Sequence, residues 1–312
     1  MKRIVSVSLG SSAGNKKAEV ECLGERFSIE RIGSDGDMDK ACRMIAELDG
    51  KVAAIGLGGI DLYVMAAGRR YVIRDALKMA QAAKITPVVD GSGLKAAWEP
   101  VVIQRIVERG LLHPQQKERG LENLKVLMPS GVDRFGIAEA FSKLNTRNIF
   151  GDFIFALGIP VRLTRLWQLQ LAARTLLPIV CRMPFTMLYP TGAKQDKPTP
   201  KYRHYFDWAD VIAGDKHYIT RSMPPPQEGE APLAGKVVIT NTVRKRDIAD
   251  FRARGLARLI TTTPELDGET LGTNAMQGLV VALVGKQPED ITADEYREMI
   301  GRIGWEPWVL DL

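Results

Sequence analysis

The stretch Lys125-Val-Leu-Met-Pro-Ser-Gly-Val-Asp-Arg-Phe-Gly-Ile-Ala-Glu-Ala-Phe141 constrains the fold of this chain more than any other. It reads as a buried strand, a tight turn and the first turns of a helix. In the dinucleotide-binding pattern G-x-G-x-x-G, the first glycine makes the turn and the second lets backbone approach the pyrophosphate. The third packs helix on strand. Taking Gly136 as the third glycine puts Asp133 at the second position and Gly131 at the first, with Ser130 one residue before it. A carboxylate facing a pyrophosphate opposes it electrostatically. The stretch therefore predicts a Rossmann-like unit with its glycine pattern altered at Asp133. Ser130, Gly131, Asp133, Arg134, Phe135 and Gly136 are its candidate contacts to an NAD or NADP cofactor.

At 312 residues the chain is long enough for two domains, each with its own core. Hydrophobic residues make up 45% and charged residues 26%, the balance of an ordinary globular protein. The net charge of +6 is spread along the chain, far from the basic stripe of a nucleic-acid binder. Cys22, Cys42 and Cys181 share no metal-ligand spacing, and an odd, sparse count points to a reducing cytoplasm. His113, His204 and His217 are too scattered for an obvious metal site, so no metal is expected. The N-terminal apolar run is too short for a signal peptide, and no run reaches the roughly 18 apolar residues of a membrane span.

Along the chain, residues 3 to 9, 26 to 32, 52 to 57 and 85 to 89 read as strands. Helices are expected near 37 to 48, capped by Asp35 or Asp37, and near 74 to 83 and 97 to 109. The proline-bearing stretch His113–Gly120 predicts a boundary between a 1–120 substrate domain and a 121–290 nucleotide domain. In the second domain, Asp152–Ala156 reads as the next parallel strand, followed by strands near 210–215, 236–241 and 258–263. Helices fit near 246 to 254 and 273 to 284. Residues 160–204 read as an insertion carrying a basic amphipathic helix over 162–177 and then the helix-breaking Pro178, Pro184 and Pro190. A polar loop with Lys194, Lys197 and Lys201 follows. A last helix, capped by Thr292 with Glu295 three residues on, is expected to pack back from 291–312. Alternating strands and helices predict an α/β fold of two domains with a doubly wound parallel sheet.

Two motifs carry a resemblance. Val89-Asp90-Gly-Ser-Gly-Leu94 resembles the N-T-D-G-x-G-L turn of the shikimate/quinate dehydrogenase family. Asn274–Gln277 through Ala282–Gly285 resembles that family's glutamine-bearing helix. The resemblance implies an NAD(P)-dependent oxidoreductase acting on the hydroxyl or carbonyl of a small acid. It makes Asp90 an acid/base partner and Gln277 a substrate ligand. The chain has Gly-Gly-Ile-Asp61 where that family keeps its catalytic lysine. A second resemblance is to the cyanobacterial long-chain acyl-carrier-protein reductases, through Ile55-Gly-Leu-Gly-Gly-Ile60, Val89–Ser92 and Ser130–Ala138. Gly272-Thr273-Asn274 stands where those enzymes place their cysteine, against thioester chemistry.

The residues leave alternatives open. Asp90 either takes a proton from a substrate or shapes an Asx turn. Lys95 either polarises an oxygen, a role Tyr63 could also fill, or is a solvated surface lysine. Asp61 either lies by a ligand admitted by Gly58-Gly59 or caps the next segment. Ser92 and Asn274 join Gln277 as candidate substrate contacts. Asp133 and Arg134 either hold a ligand or pair with each other. Asn241, Thr242, Thr261–Thr263, Asp215 and His217 follow strand ends, where ligands collect in such folds. The 162–190 segment is a lid, a membrane-surface contact, or a packing or homodimer surface. The expected partner is a small molecule. The alternative functions are a Rossmann-like ligand-binding or regulatory protein without hydride transfer, and a reductase of a hydrophobic acyl or carbonyl substrate.

Overall fold

The computed structural model describes residues 1–113, 120–184, 199–200, 202–226 and 229–312. Pro190, Lys194, Lys197, Lys201 and most of the stretch expected to separate the domains lie outside the described residues. The strands are β1 (Lys2–Ser8), β2 (Lys16–Cys22), β3 (Glu25–Gly33), β4 (Ala54–Gly58), β5 (Tyr63–Ala66), β6 (Arg69–Val72), β7 (Val88–Val89), β8 (Lys125–Met128), β9 (Arg147–Phe150), β10 (Val211–Ala213), β11 (Val237–Thr240), β12 (Arg258–Thr261), β13 (Glu265–Leu266), β14 (Glu269–Thr270) and β15 (Trp308–Asp311). The helices are α1 (Met38–Leu48), α2 (Arg74–Ala80), α3 (Ser92–Glu108), α4 (Phe135–Lys143), α5 (Leu166–Val180), α6 (Arg203–Trp208), α7 (Lys216–Ser222), α8 (Lys245–Ala253), α9 (Thr273–Val284) and α10 (Ala293–Ile303).

The chain is a two-domain α/β protein with two parallel-sheet bodies. One unit comprises Met1–Ala97, Thr175–Gln195 and Gly272–Trp305; the other comprises Trp98–Arg174, Asp196–Leu271 and Glu306–Leu312. The first boundary thus falls at 97–98, inside α3, and not near residue 120. Helix α9, expected in the nucleotide domain, belongs to the first unit. The 160–204 segment divides between the units at 174–175 instead of forming one insertion. Packing decides these assignments: Gly278 of α9 comes so near β1 and β4 that an added Cβ would stand 2.9 Å from Ile4 and 3.4 Å from Ala54.

In the first unit the sheet order is β2-β3-β1-β4-β7, with β1, β3, β4 and β7 parallel and β2 antiparallel at the edge. Ile4, Val5, Val7, Ile55 and Leu57 are buried on both faces, as a helix-covered parallel sheet requires. Asp37 caps α1 by accepting the Lys40 amide at 2.8 Å. Helix α9 ends at Gly285 in the left-handed region, and α10 opens on a Thr292–Glu295 capping box.

In the second unit the order is β15-β12-β11-β10-β8-β9, parallel except for β15. Its core gathers Leu127, Ile149, Ile212, Val238, Phe251 and Leu259; burying each such side chain contributes about 1.5–3 kcal/mol. The chain leaves β8 for β9 on one side and reaches β10 on the other. That reversal is the switch point where such sheets bind ligands. The segment Asp152–Ala156, expected as a strand, is a π-helical turn after β9. The Phe155 amide donates back to Gly151 at 2.8 Å, and the Phe155 ring meets Tyr202, Tyr205 and Phe206 edge-on. Aromatic packing holds this run out of the sheet.

Candidate functional site

In the first unit, the turn after β7 carries Asp90, which is buried. Its Oδ2 accepts the Leu62 and Tyr63 amides at 2.7 and 2.8 Å, and its Oδ1 accepts the Ser92 amide at 2.9 Å. Three donors hold one carboxylate, so Asp90 clamps the 60–63 loop onto the start of α3. Lys95 is no solvated surface lysine: its Nζ lies 2.7 Å from Asp61, and both side chains are largely buried. The Tyr63 ring lies under the Arg70 guanidinium at 4.6 Å.

Asn274 and Gln277 are also buried, and both bond to protein. Gln277 Oε1 accepts the Gly91 amide at 2.7 Å, and its Nε2 donates to the Tyr296 hydroxyl at 2.7 Å. Burial raises the Tyr296 pKa, partly offset by that hydrogen bond from Gln277. Asn274 Nδ2 donates to Ser6 Oγ at 2.8 Å and to the Leu57 carbonyl at 2.6 Å. The glycines of the Asp90 turn answer to the same packing. Gly91 has φ +97°, and a Cβ on Gly93 would stand 2.6 Å from Gln277 Nε2. The double glycine at 58–59 admits the chain itself: a Cβ on Gly58 would stand 2.8 Å from the Ser8 Cβ. The structure thus brings Asp90, Lys95, Asp61, Ser92, the Tyr63 backbone and Gln277 into one connected cluster. A hollow of about 360 Å³ lies at the opposite, amino-terminal edge of this sheet, lined by Lys2, Pro87 and Lys286, and holds no carboxylate for acid–base work.

In the second unit, Ser130–Gly136 runs from β8 into α4, where a phosphate loop would lie. Asp152, two residues past the end of β9, occupies that loop. Its carboxylate accepts the Gly131 amide at 3.0 Å, the Val132 amide at 2.9 Å and the Ser130 hydroxyl at 3.3 Å. Desolvation pushes the Asp152 pKa up to about 6, with the amide hydrogen bonds pulling the other way. Gly131 is needed here for packing: its Cβ would stand 3.0 Å from both Leu169 and Phe150. Leu169, fully buried on α5, covers the loop.

The crevice between β8 and β10 is also filled. Arg134 is buried and donates to Glu99 and, at 2.8 Å, to Asp215; its Nε stands 3.2 Å from Asp133. Burial works against this charge, but Glu99, Asp133 and Asp215 more than reverse it, holding the guanidinium pKa well above its usual value. Asp215 caps α7 through the His217 amide and accepts from Asn241 Nδ2 at 3.1 Å, so the His217 side chain is exposed while its backbone serves the cap. Asn241 Oδ1 accepts the Lys216 amide, and its carbonyl accepts the Thr263 hydroxyl at 2.5 Å. Thr261 donates to the Thr263 carbonyl, and Thr262 accepts from Trp98 Nε1 through its carbonyl. Buried Lys216 stands 3.6 Å from Asp247. Phe135 is buried in α4, and Gly136 and Thr242 are half-buried.

These contacts decide whether a dinucleotide fits. A pyrophosphate at this loop needs the Gly131 and Val132 amides and room above Gly131. Asp152 holds the amides and Leu169 and Phe150 fill the room, so the loop does not accept the cofactor in this arrangement. Sequence reasoning missed the part played by Asp152, and spacing could have found it. A residue about 20 positions beyond the loop is where such units keep their ribose-binding acid. Glu99, Lys216 and Tyr296 carry no comparable signal. Among the described residues no group of three or more His, Cys, Asp or Glu is arranged to hold a metal, and no helix is long and apolar enough to cross a membrane.

The fold is therefore that of a two-domain α/β protein with a Rossmann-like second body. The chain belongs to the family described as domain of unknown function DUF8754, whose model matches residues 93–312. Residues 3–90 match a second model, domain of unknown function DUF8753. No curated protein matches. Among solved structures, the chain is similar to a 5-methylthioribose transporter solute binding protein from Thermotoga lettingae TMO, at 10% identity and TM-score 0.36 over 99% of this chain and 85% of that one. It is also similar to a D-isomer specific 2-hydroxyacid dehydrogenase from Lactobacillus delbrueckii ssp. bulgaricus, at 11% identity and TM-score 0.30 over 96% and 94%. A sugar transport substrate-binding protein from Bordetella parapertussis 12822 stands at 11% identity and TM-score 0.36, over 100% and 89%. Distant neighbours thus include both an oxidoreductase and sugar-binding proteins, and likeness at this level carries no functional argument.

Proposed function

We propose that this chain is a Rossmann-like protein that binds a small polar molecule and does not transfer hydride from a nicotinamide cofactor. The observation supporting this reading is the Asp152 carboxylate on the Gly131 and Val132 amides. The half-buried groups at the carboxyl edge of this sheet include Asp133, Asp215, Asn241 and Thr242, two acids and two neutral polar side chains. With both acids facing Arg134, such an edge offers neutral polar contacts and favours a hydroxyl-rich ligand over a phosphate. Fluorescence titration with NADH and NADPH tests the reading: no saturation is expected up to about 1 mM. Saturable binding of either below that concentration overturns it.

A second reading, quinate/shikimate-like oxidation of a small acid, draws on the position of Asp152. Two residues past β9, it could leave the loop and turn to a ribose. Its acid/base pair would be Lys95 and Asp61, at 2.7 Å, since Asp90 is held by three amides. Asp152→Ala separates the two. It weakens nucleotide binding if the acid serves a ribose; if the acid blocks the loop, binding emerges only when Leu169→Ala also opens the room above Gly131.

A further inference from the structure

Six of the large hydrophobic side chains exposed in this protein fall between residues 157 and 179. Within the second unit, the chain leaves β9, makes the π-turn and returns to pair Leu163 with Phe150, each donating its amide to the other's carbonyl. The bridge pins the base of an excursion whose tip, Ala156–Arg162, is exposed throughout. That tip carries Leu157, Ile159 and Val161. Four residues past Leu163, α5 presents Trp167, Leu171 and Arg174 on one face, at helical spacing. The five apolar side chains are 44–61% exposed. The opposite face of α5 is spent on the protein through buried Leu169, Ala173 and Leu177.

Charge decides what such a surface meets. From 153 to 195 the chain holds Arg162, Arg165, Arg174, Arg182 and Lys194 and no acidic residue. Arg162, Arg165 and Arg174 are exposed beside the apolar tip and the Trp167 face. A symmetric contact between two copies would set these guanidiniums against each other. An exposed apolar tip, an interfacial tryptophan and arginines without acids are the composition that inserts shallowly among anionic lipid headgroups.

We propose that the 156–174 excursion and helix face dock this protein onto an anionic membrane surface. The test is co-sedimentation of the full chain with phosphatidylglycerol-containing vesicles, against vesicles of phosphatidylcholine alone. Binding to the anionic vesicles, weakened by salt, is expected. Arg162→Gln, Arg165→Gln and Arg174→Gln should each lower it about fivefold. Ile159→Ser with Trp167→Ser should reduce it at least about tenfold. All these positions are exposed, and an unchanged melting temperature verifies that the fold is kept. Equal sedimentation with neutral vesicles, none with either, or binding untouched by both sets of substitutions overturns the proposal. So does a dimer in light scattering that Trp167→Ser converts to monomer without any vesicle binding, since the face would then serve a second copy.

Discussion

The Asp152 carboxylate accepts the Gly131 amide at 3.0 Å, across the loop where a Rossmann-like body would seat a phosphate. An anion from the protein itself stands in for the anion of a ligand. Replacing it exposes the amides but leaves Leu169 over Gly131, so Asp152→Ala combined with Leu169→Ala is expected to gain measurable affinity for inorganic pyrophosphate, read by calorimetry, where the parent protein has none.

The same carboxylate should imprint a pH dependence on stability. Its folded pKa, about 6, lies above the ordinary value of 3.8. The folded state then holds the proton more tightly between pH 4 and 6, and stability from this group falls as pH rises through that window. The loss amounts to about 3 kcal/mol. Comparing urea midpoints of the parent and Asp152→Asn at pH 4 and pH 7 isolates it, because the variant should lack this component of the slope.

Arg134 is the buried cation that the carboxylates of the β8–β10 crevice require. Arg134→Leu strands Glu99 and Asp215 and should cost about 3–5 kcal/mol, measured as a lower thermal midpoint. Arg134→Lys should recover little, because one ammonium cannot reproduce a planar fork that meets two carboxylates.

Asp90 should act through stability and not through turnover. Asp90→Ala leaves the Leu62, Tyr63 and Ser92 amides without their acceptor and is expected to cost about 2–4 kcal/mol. Hydrogen exchange at those three amides checks it: they should lose protection together in the variant.

Gly93→Ala tests the same interlock from the other side. Its methyl group would press on Gln277 Nε2, 2.6 Å away, and on the Tyr296 hydroxyl at 2.9 Å. A loss of about 1–3 kcal/mol is expected in thermal melts, partly restored by Gln277→Ala, which removes the crowding partner.

What the sequence disclosed followed the range of the forces involved. Helix starts were readable because caps are local: Asp37, one of two candidates, and the Thr292–Glu295 box lie within a few residues of the amides they serve. The Arg147–Phe150 strand, half polar, was passed over for the more apolar Asp152–Ala156, whose turn rests on contacts with Tyr202 through Phe206. Strand β2 escaped notice because it is an edge strand paired antiparallel, with charged residues alternating along it, and Trp308–Asp311, expected within the last helix over 291–312, is instead the antiparallel edge strand β15. The Asp90 turn was visible as a motif, but its employment was not. Its partners come from 28 residues earlier, and the neighbouring Gly91 answers to Gln277, 186 residues later. A glycine-rich turn looks the same whether a ligand or a distant helix comes close to it.

The return of α9 to the first sheet has a consequence for dissecting the protein. Sequence kinship divides near residues 90 to 93, yet the sheet begun by Lys2 is roofed by a helix that starts at Thr273. A fragment ending at residue 90 would leave Ile4, Ala54 and Val89 bare on one side. Expressed alone it should aggregate, and supplying residues 272–305 through a short tether should bring it back into solution. Ancestry and foldability are partitioned differently along this polypeptide.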